Sequence, residues 1–199
     1  MIQSQTNISP TQQSELDDLI KDCKTDYEKA TTIYDYVQSK SRYVSIQLGI
    51  GGWKPEAASV VLDKGYGDCK GLTNLTMSLL DAVGIESQYA VVYAGHRIKE
   101  INENVVGFQG NHVILNLPNL DGEEYWLECI SQQAPFGHIG SFTDDRNVLA
   151  VGPKGSKLKH TTTFTHNENK RVSKWNLKVN NDASLSIELT IINNGQYFS

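Results

Sequence analysis

The stretch Lys64-Gly65-Tyr66-Gly67-Asp68-Cys69-Lys70-Gly71, with the apolar residues Leu72, Leu75, Leu79, Leu80 and Val83 that follow, decides how this chain is read. A tight Gly-Tyr-Gly turn leads into Asp68. Apolar residues then return at three- and four-residue spacing, and Gly84 stands where a helix should end. The pattern predicts a helix opening at Cys69 with Asp68 as its N-cap, since a carboxylate there accepts from the unpaired N–H groups of the first turn. Cys69 thereby lies at the positive end of the helix dipole, a position that favours a thiolate when a cationic partner is also near. The thiolate is the nucleophilic form, so this is how a chain prepares a cysteine for covalent catalysis. The competing reading is a buried structural cysteine that opens a core helix.

Working outward, the clearest hairpin is Asn111 to Leu117 and Glu123 to Cys129, with Pro118-Asn119-Leu120-Asp121-Gly122 as its turn. Alternation puts His112, Ile114 and Asn116 on one face of the first strand, and Trp126 and Glu128 on one face of the second. A hairpin centred on Leu120 sets His112 opposite Glu128. A bulged turn at Asp121-Gly122 makes them diagonal neighbours on the same face, still within reach. A loop of even length would put them on opposite faces. The hairpin thus proposes a His–carboxylate pair to accompany Cys69.

The rest of the chain supplies scaffold. Pro10 to Cys23 is predicted as a helix after a polar leader. Thr25 to Glu28 reads as a capping box that starts a second helix ending near Lys40. Arg42 to Leu48 alternates like a strand, and Gly49 to Trp53 is a Gly-rich loop with one large aromatic. Glu56 to Asp63 reads as a short helix, Ser87 to Ala94 as a buried strand, and Gly95 to Gly110 as a long surface loop. Asn147 to Val151 is a short strand, and Gly152 to His160 has linker composition. Arg171 to Val179 and Ala183 to Ile192 form a second hairpin around Asn180-Asn181-Asp182. The organisation expected is a core domain over residues 1–152, then a linker and hairpin over 153–199 that begin a β domain. The chain stops in strand-like sequence, as a piece of a longer protein would.

Bulk numbers narrow the function classes. The chain has 199 residues, 39% hydrophobic and 21% charged, which is an ordinary globular composition. A net charge of −5 without a basic face argues against nucleic acid as partner. The basic stretches Lys154 to His160 and Lys170 to Lys174 read as solvated loops, and the histidines outside the hairpin as solvated loop residues. No apolar run approaches the roughly 20 residues of a membrane span. Met1-Ile2-Gln3-Ser4-Gln5 has neither the basic start nor the apolar core of a signal peptide. Cys23, Cys69 and Cys129 form no disulfide framework and no C-x-x-C zinc pair.

Cys69 at a helix start, His112 on a strand and Glu128 on the next strand make a Cys–His–carboxylate order. With Tyr66-Gly67-Asp68-Cys69-Lys70-Gly71, Asn111-His112-Val113 and Tyr125-Trp126-Leu127-Glu128-Cys129, the chain resembles the transglutaminase-like superfamily, a branch of the papain-like fold. The resemblance covers roughly Thr25 to Val151 and is greatest to bacterial members whose core lies between β-rich domains. It implies an α+β fold and acyl transfer through a Cys69 thioester, with no cofactor and a peptide or protein as substrate. Hydrolysis (a protease or amidase) is the expected outcome. Amine transfer to protein glutamine and a non-catalytic peptide-binding scaffold are the alternatives. The superfamily commonly has Asp where this chain has Glu128; Glu still orients a histidine in some triads. The family's upstream oxyanion donor would fall to Trp53, ranked first for its Gly-rich loop, or to Gln47, beside the Cys69 backbone N–H. The resemblance also implies an extracytoplasmic setting within a longer chain.

Overall fold

Caps fix the helices. In the computed structural model, which describes residues 6–46, 48–152 and 155–198, helix α1 (Pro10–Ile20) starts at a reciprocal capping box. Ser9 Oγ accepts from the Gln12 backbone and Gln12 Oε1 accepts from the Ser9 backbone. The helix stops at Ile20, short of the predicted Cys23. Helix α2 (Asp26–Lys40) is capped by Thr25, but the Glu28 carboxylate accepts from Lys24, one residue before the cap. Strand β1 (Arg42–Tyr43), helix α3 (Ala58–Lys64) and strand β2 (Tyr66–Gly67) follow. β1 pairs in parallel with β2, and that two-residue partner limits the strand expected over residues 42–48. Helix α4 (Cys69–Ala82) begins and ends as its sequence predicts. Asp68 accepts from the Gly71 N–H at 2.9 Å, and Gly84 takes a left-handed φ of 81°.

Beyond α4 come strands β3 (Gln88–Val92), β4 (His112–Leu120), β5 (Glu123–Leu127), β6 (Asn147–Gly152) and β7 (Gly155–His160). They form one antiparallel sheet in the order β5-β4-β3-β6-β7. One face of it presents Leu115, Leu117 and Leu127 to Leu72, Leu75 and Leu79 of α4 and Ile33 and Val37 of α2. The other face gathers Ala90, Val92, Ile114, Trp126 and Val148 under Ile139. Lys159 of edge strand β7 reaches Glu124 of the opposite edge strand β5 at 2.6 Å, so the sheet coils round this second core. Helices on one face of a coiled antiparallel sheet make the α+β architecture that was expected.

Two expectations are corrected. The stretch read as linker, together with its basic residues, is largely strand: β7 pairs with β6 from Asn147↔His160 to Gly152↔Gly155. The second hairpin forms as expected, strand β8 (Arg171–Val179) pairing with β9 (Leu185–Asn193) in a separate two-stranded sheet, so the basic residues Arg171 to Lys174 lie on a strand and not in a loop. No helix among the described residues is long and apolar enough to cross a membrane.

The β4–β5 turn is tighter than its sequence suggests. Leu120 pairs with Glu123, leaving Asp121 (φ 52°) and Gly122 (φ 95°) as a two-residue turn of the primed type. Alone, that even loop would turn His112 and Glu128 to opposite faces. The register shifts between Leu117 and Leu120, however, where Pro118 and Asn119 form a β-bulge. A bulge is also where a strand tolerates a proline, which has no N–H to donate. Past the bulge Asn116 faces Trp126, so His112 and Glu128 share a face as diagonal neighbours.

Candidate active site

Three elements bring three side chains together. Cys69 opens α4, one residue after the cap. Thr73, one turn further on, donates to the Val113 carbonyl at 3.4 Å, which holds the start of the helix against the start of β4. His112 is the first residue of β4, and Glu128 follows the last residue of β5. The Glu128 backbone is pinned from the helical layer, where the Tyr34 hydroxyl donates to its carbonyl at 2.9 Å. Gln38 of α2 donates to the Ser131 and Ala134 carbonyls and fixes the loop beyond it.

His112 Nε2 lies 3.0 Å from Glu128 Oε1 and 3.1 Å from Oε2, and the two residues are only 6% and 8% exposed. Nε2 is thereby committed to the carboxylate, which leaves Nδ1 for another partner. Cys69, itself buried, also acts on the ring. Burial, the largest single influence, disfavours the imidazolium. The Glu128 charge, hydrogen bonding with Cys69 and Glu128, and the Cys69 charge together outweigh it and raise the His112 pKa from 6.5 to about 9. Phe142 covers the ring edge-on, with centroids 5.5 Å apart. The group can therefore hold a proton on a buried imidazole beside a thiol, the arrangement a sulfur nucleophile needs.

Residues 14–134 match the transglutaminase-like superfamily, which is more than half of the chain. The chain belongs to this superfamily. Among solved structures, the transglutaminase-like chain is similar to a candidate protease from Parabacteroides distasonis, with TM-score 0.59 and 20% identity over 82% of this chain and 30% of that one. At that identity the likeness is one of fold, and this chain spans less than a third of the other's length. A candidate cysteine protease from Cytophaga hutchinsonii aligns with TM-score 0.46 and 13% identity over 97% of this chain and 56% of that one. No curated protein sequence matches significantly.

The other residues of the transglutaminase-like chain that the sequence singles out lie in varied surroundings. Trp53 is 61% exposed and packs edge-on against Phe108, with centroids 5.0 Å apart. Gln47 lies outside the described residues. Asn116, on the same strand face as His112, is engaged with Lys159 and Glu124 instead. Cys129 packs in the helix-facing core, where burial pushes its thiol up to about 12. His138, expected in solvent, has a buried Nε2, and burial lowers its pKa against the opposing charge of Asp144. It lines a cavity of about 390 Å³ with Glu128, Phe142 and Phe198. A groove of about 240 Å³ borders Tyr66, Gly67 and Asp68, with Ile46 and Ile50 in its wall. Sequence reasoning passed over Lys70 and Phe142. Lys70 is buried in an ion pair with Asp68, and its only signal was a lysine directly after the cysteine. Nothing in the loop around Phe142 announces its contact with His112.

Proposed function

We propose that this transglutaminase-like chain is a cysteine hydrolase that opens amide or peptide bonds through a thioester on Cys69. The observation that carries the reading is the buried contact of His112 Nε2 with both Glu128 oxygens, with Cys69, at a helix start, also acting on the ring. In the first half-reaction the thiol proton goes to His112 and the sulfur attacks the carbonyl carbon. The Cys69 backbone N–H, at the start of α4, is the nearest candidate to receive the oxyanion. The C–N bond then breaks, and the proton on His112 leaves with the amine. In the second half-reaction water gives a proton to His112 and its oxygen displaces sulfur, which takes the proton back as the acid is released. Glu128 keeps Nε2 engaged and stabilises the imidazolium throughout.

The substrate lies along the groove beside Asp68 in this reading, with its carbonyl over Cys69. Residues up to β7 form the catalytic unit, and the β8–β9 hairpin opens a further β unit. The test is a library of peptides and amides offered to the native chain and to Cys69→Ala, with mass spectrometry of the Cys69 peptide. The expected result is substrate loss and an acyl adduct on Cys69 in the native chain alone. Equal turnover by Cys69→Ala would overturn the mechanism.

A further inference from the structure

Asp68 creates an electrostatic problem for its neighbour. Its carboxylate caps α4, with Oδ1 accepting from the Gly71 N–H at 2.9 Å, and it stands one residue from Cys69. A full negative charge at that point opposes the helix dipole that would stabilise a thiolate. The other oxygen, Oδ2, is bound by the ammonium of Lys70, and both residues are buried, Lys70 at 8% and Asp68 at 7% exposure. Buried lysines are rare unless paired. This one is paired with Asp68.

We propose that Lys70 is a positioning residue whose charge cancels that of the capping carboxylate, so that the helix start can hold a thiolate at Cys69. The cap supplies geometry and Lys70 removes its electrostatic side effect. The other groups that face Cys69 are accounted for separately. From β4 comes His112, which supplies the imidazolium, and behind it Glu128, which is committed to His112. From β3 comes Tyr89, whose hydroxyl stays protonated because burial, and then the charges of Cys69 and Asp68, raise its pKa. Lys70 is the cation bound to the one carboxylate that adjoins Cys69 in sequence.

The inference rests on Cys69 being the nucleophile, but its test needs no substrate. Iodoacetamide labelling of Cys69 is followed by mass spectrometry across pH in the native chain and in K70M, K70R, D68N and the double variant K70M/D68N. Methionine matches the lysine stem without charge, and asparagine still caps a helix. In K70M the half-maximal pH of labelling should rise by roughly one pH unit, the size expected of a single uncompensated neighbouring charge. K70R should restore it. D68N, which leaves Lys70 without its counter-charge, should lower it, and the double variant should return close to the native value. A purely structural Lys70 would lower the unfolding temperature of K70M and leave the labelling profile of the folded protein unmoved, and that outcome overturns the proposal. Should K70M not fold, an unchanged profile in D68N overturns it equally. Native Cys69 labelling no faster than Cys23 would instead sink the nucleophile reading and leave the comparison among variants to decide the role of Lys70.

Discussion

Strands β4 and β9 are both nine residues long, and both sit in antiparallel hairpins. β4 is buried along almost its whole length, whereas all of β9 except its last residue is exposed. The second hairpin is no less regular. Trp175, Leu177, Ile187 and Leu189 share one face of it, and Lys174, Asn176 and Glu188 share the other. Alternation therefore settles which side chains share a face, while burial needs a second layer, which α4 and α2 supply to β4. All three proposed catalytic residues are buried with it, His112 and Glu128 on the face turned from the helices, where Phe142 packs against the imidazole. There a carboxylate and an imidazole are taken out of water together, and their coupling is correspondingly strong.

The contrast breaks most sharply at the two glutamates. Replacing Glu128 with Gln should keep the fold and cut turnover by up to ~10⁴-fold, as the corresponding change does in a serine triad, because an amide stabilises the wrong tautomer. Glu188→Gln on β9 should leave turnover unchanged. If Glu128→Gln alters neither turnover nor the pH profile of Cys69 labelling, Glu128 is only a strand residue. Next in size is packing. Leu115→Ala on β4 removes a fully buried side chain and should cost about 2–5 kcal/mol in urea unfolding. Leu189→Ala on β9, a residue 42% exposed, should cost less than about 1 kcal/mol. Equal losses would mean that the hairpin face is covered in solution.

The smallest effect is a pH dependence that distinguishes the regions by their linkage. NMR titration of the His112 ring should give a midpoint near 9, and Glu128→Gln should lower it. The folded pKa lies above the ordinary 6.5, so the paired imidazolium contributes its full stability below about pH 6.5 and loses it as pH rises through about 9. The stability difference between the native chain and Glu128→Gln should shrink over that interval. A difference that stays constant from pH 6 to pH 10 would show that the pair is not what titrates.

Legibility in the sequence followed the reach of the interactions. The limits of α4 could be read from Asp68 and Gly84, since caps are local chemistry. The shared face of His112 and Glu128 was legible as one of three hairpin registers, and the structure selects the diagonal one. β7 was not legible. Gly-Ser-Lys-Leu-Lys-His has a single aliphatic side chain, and the strand is held by its backbone ladder to β6 at an exposed edge. The short β1 was over-read because alternation cannot report that its partner ends at Gly67. Lys70 and Phe142 escaped because each acts through a neighbour, Asp68 or His112, in a contact that only folding creates.

The bulge at Pro118 and Asn119 makes the β4–β5 connection behave as a parity check on its own length. A two-residue turn and one extra strand residue sum to an odd offset, and that offset keeps His112 and Glu128 on one side of the sheet. Insertions or deletions of two residues conserve it, whereas a change of one inverts it and sends Glu128 to the face of the helices. Deleting Asn119 should therefore uncouple the two side chains although neither has been touched. In members of the superfamily that keep both residues, the length of this connection should vary only in even steps.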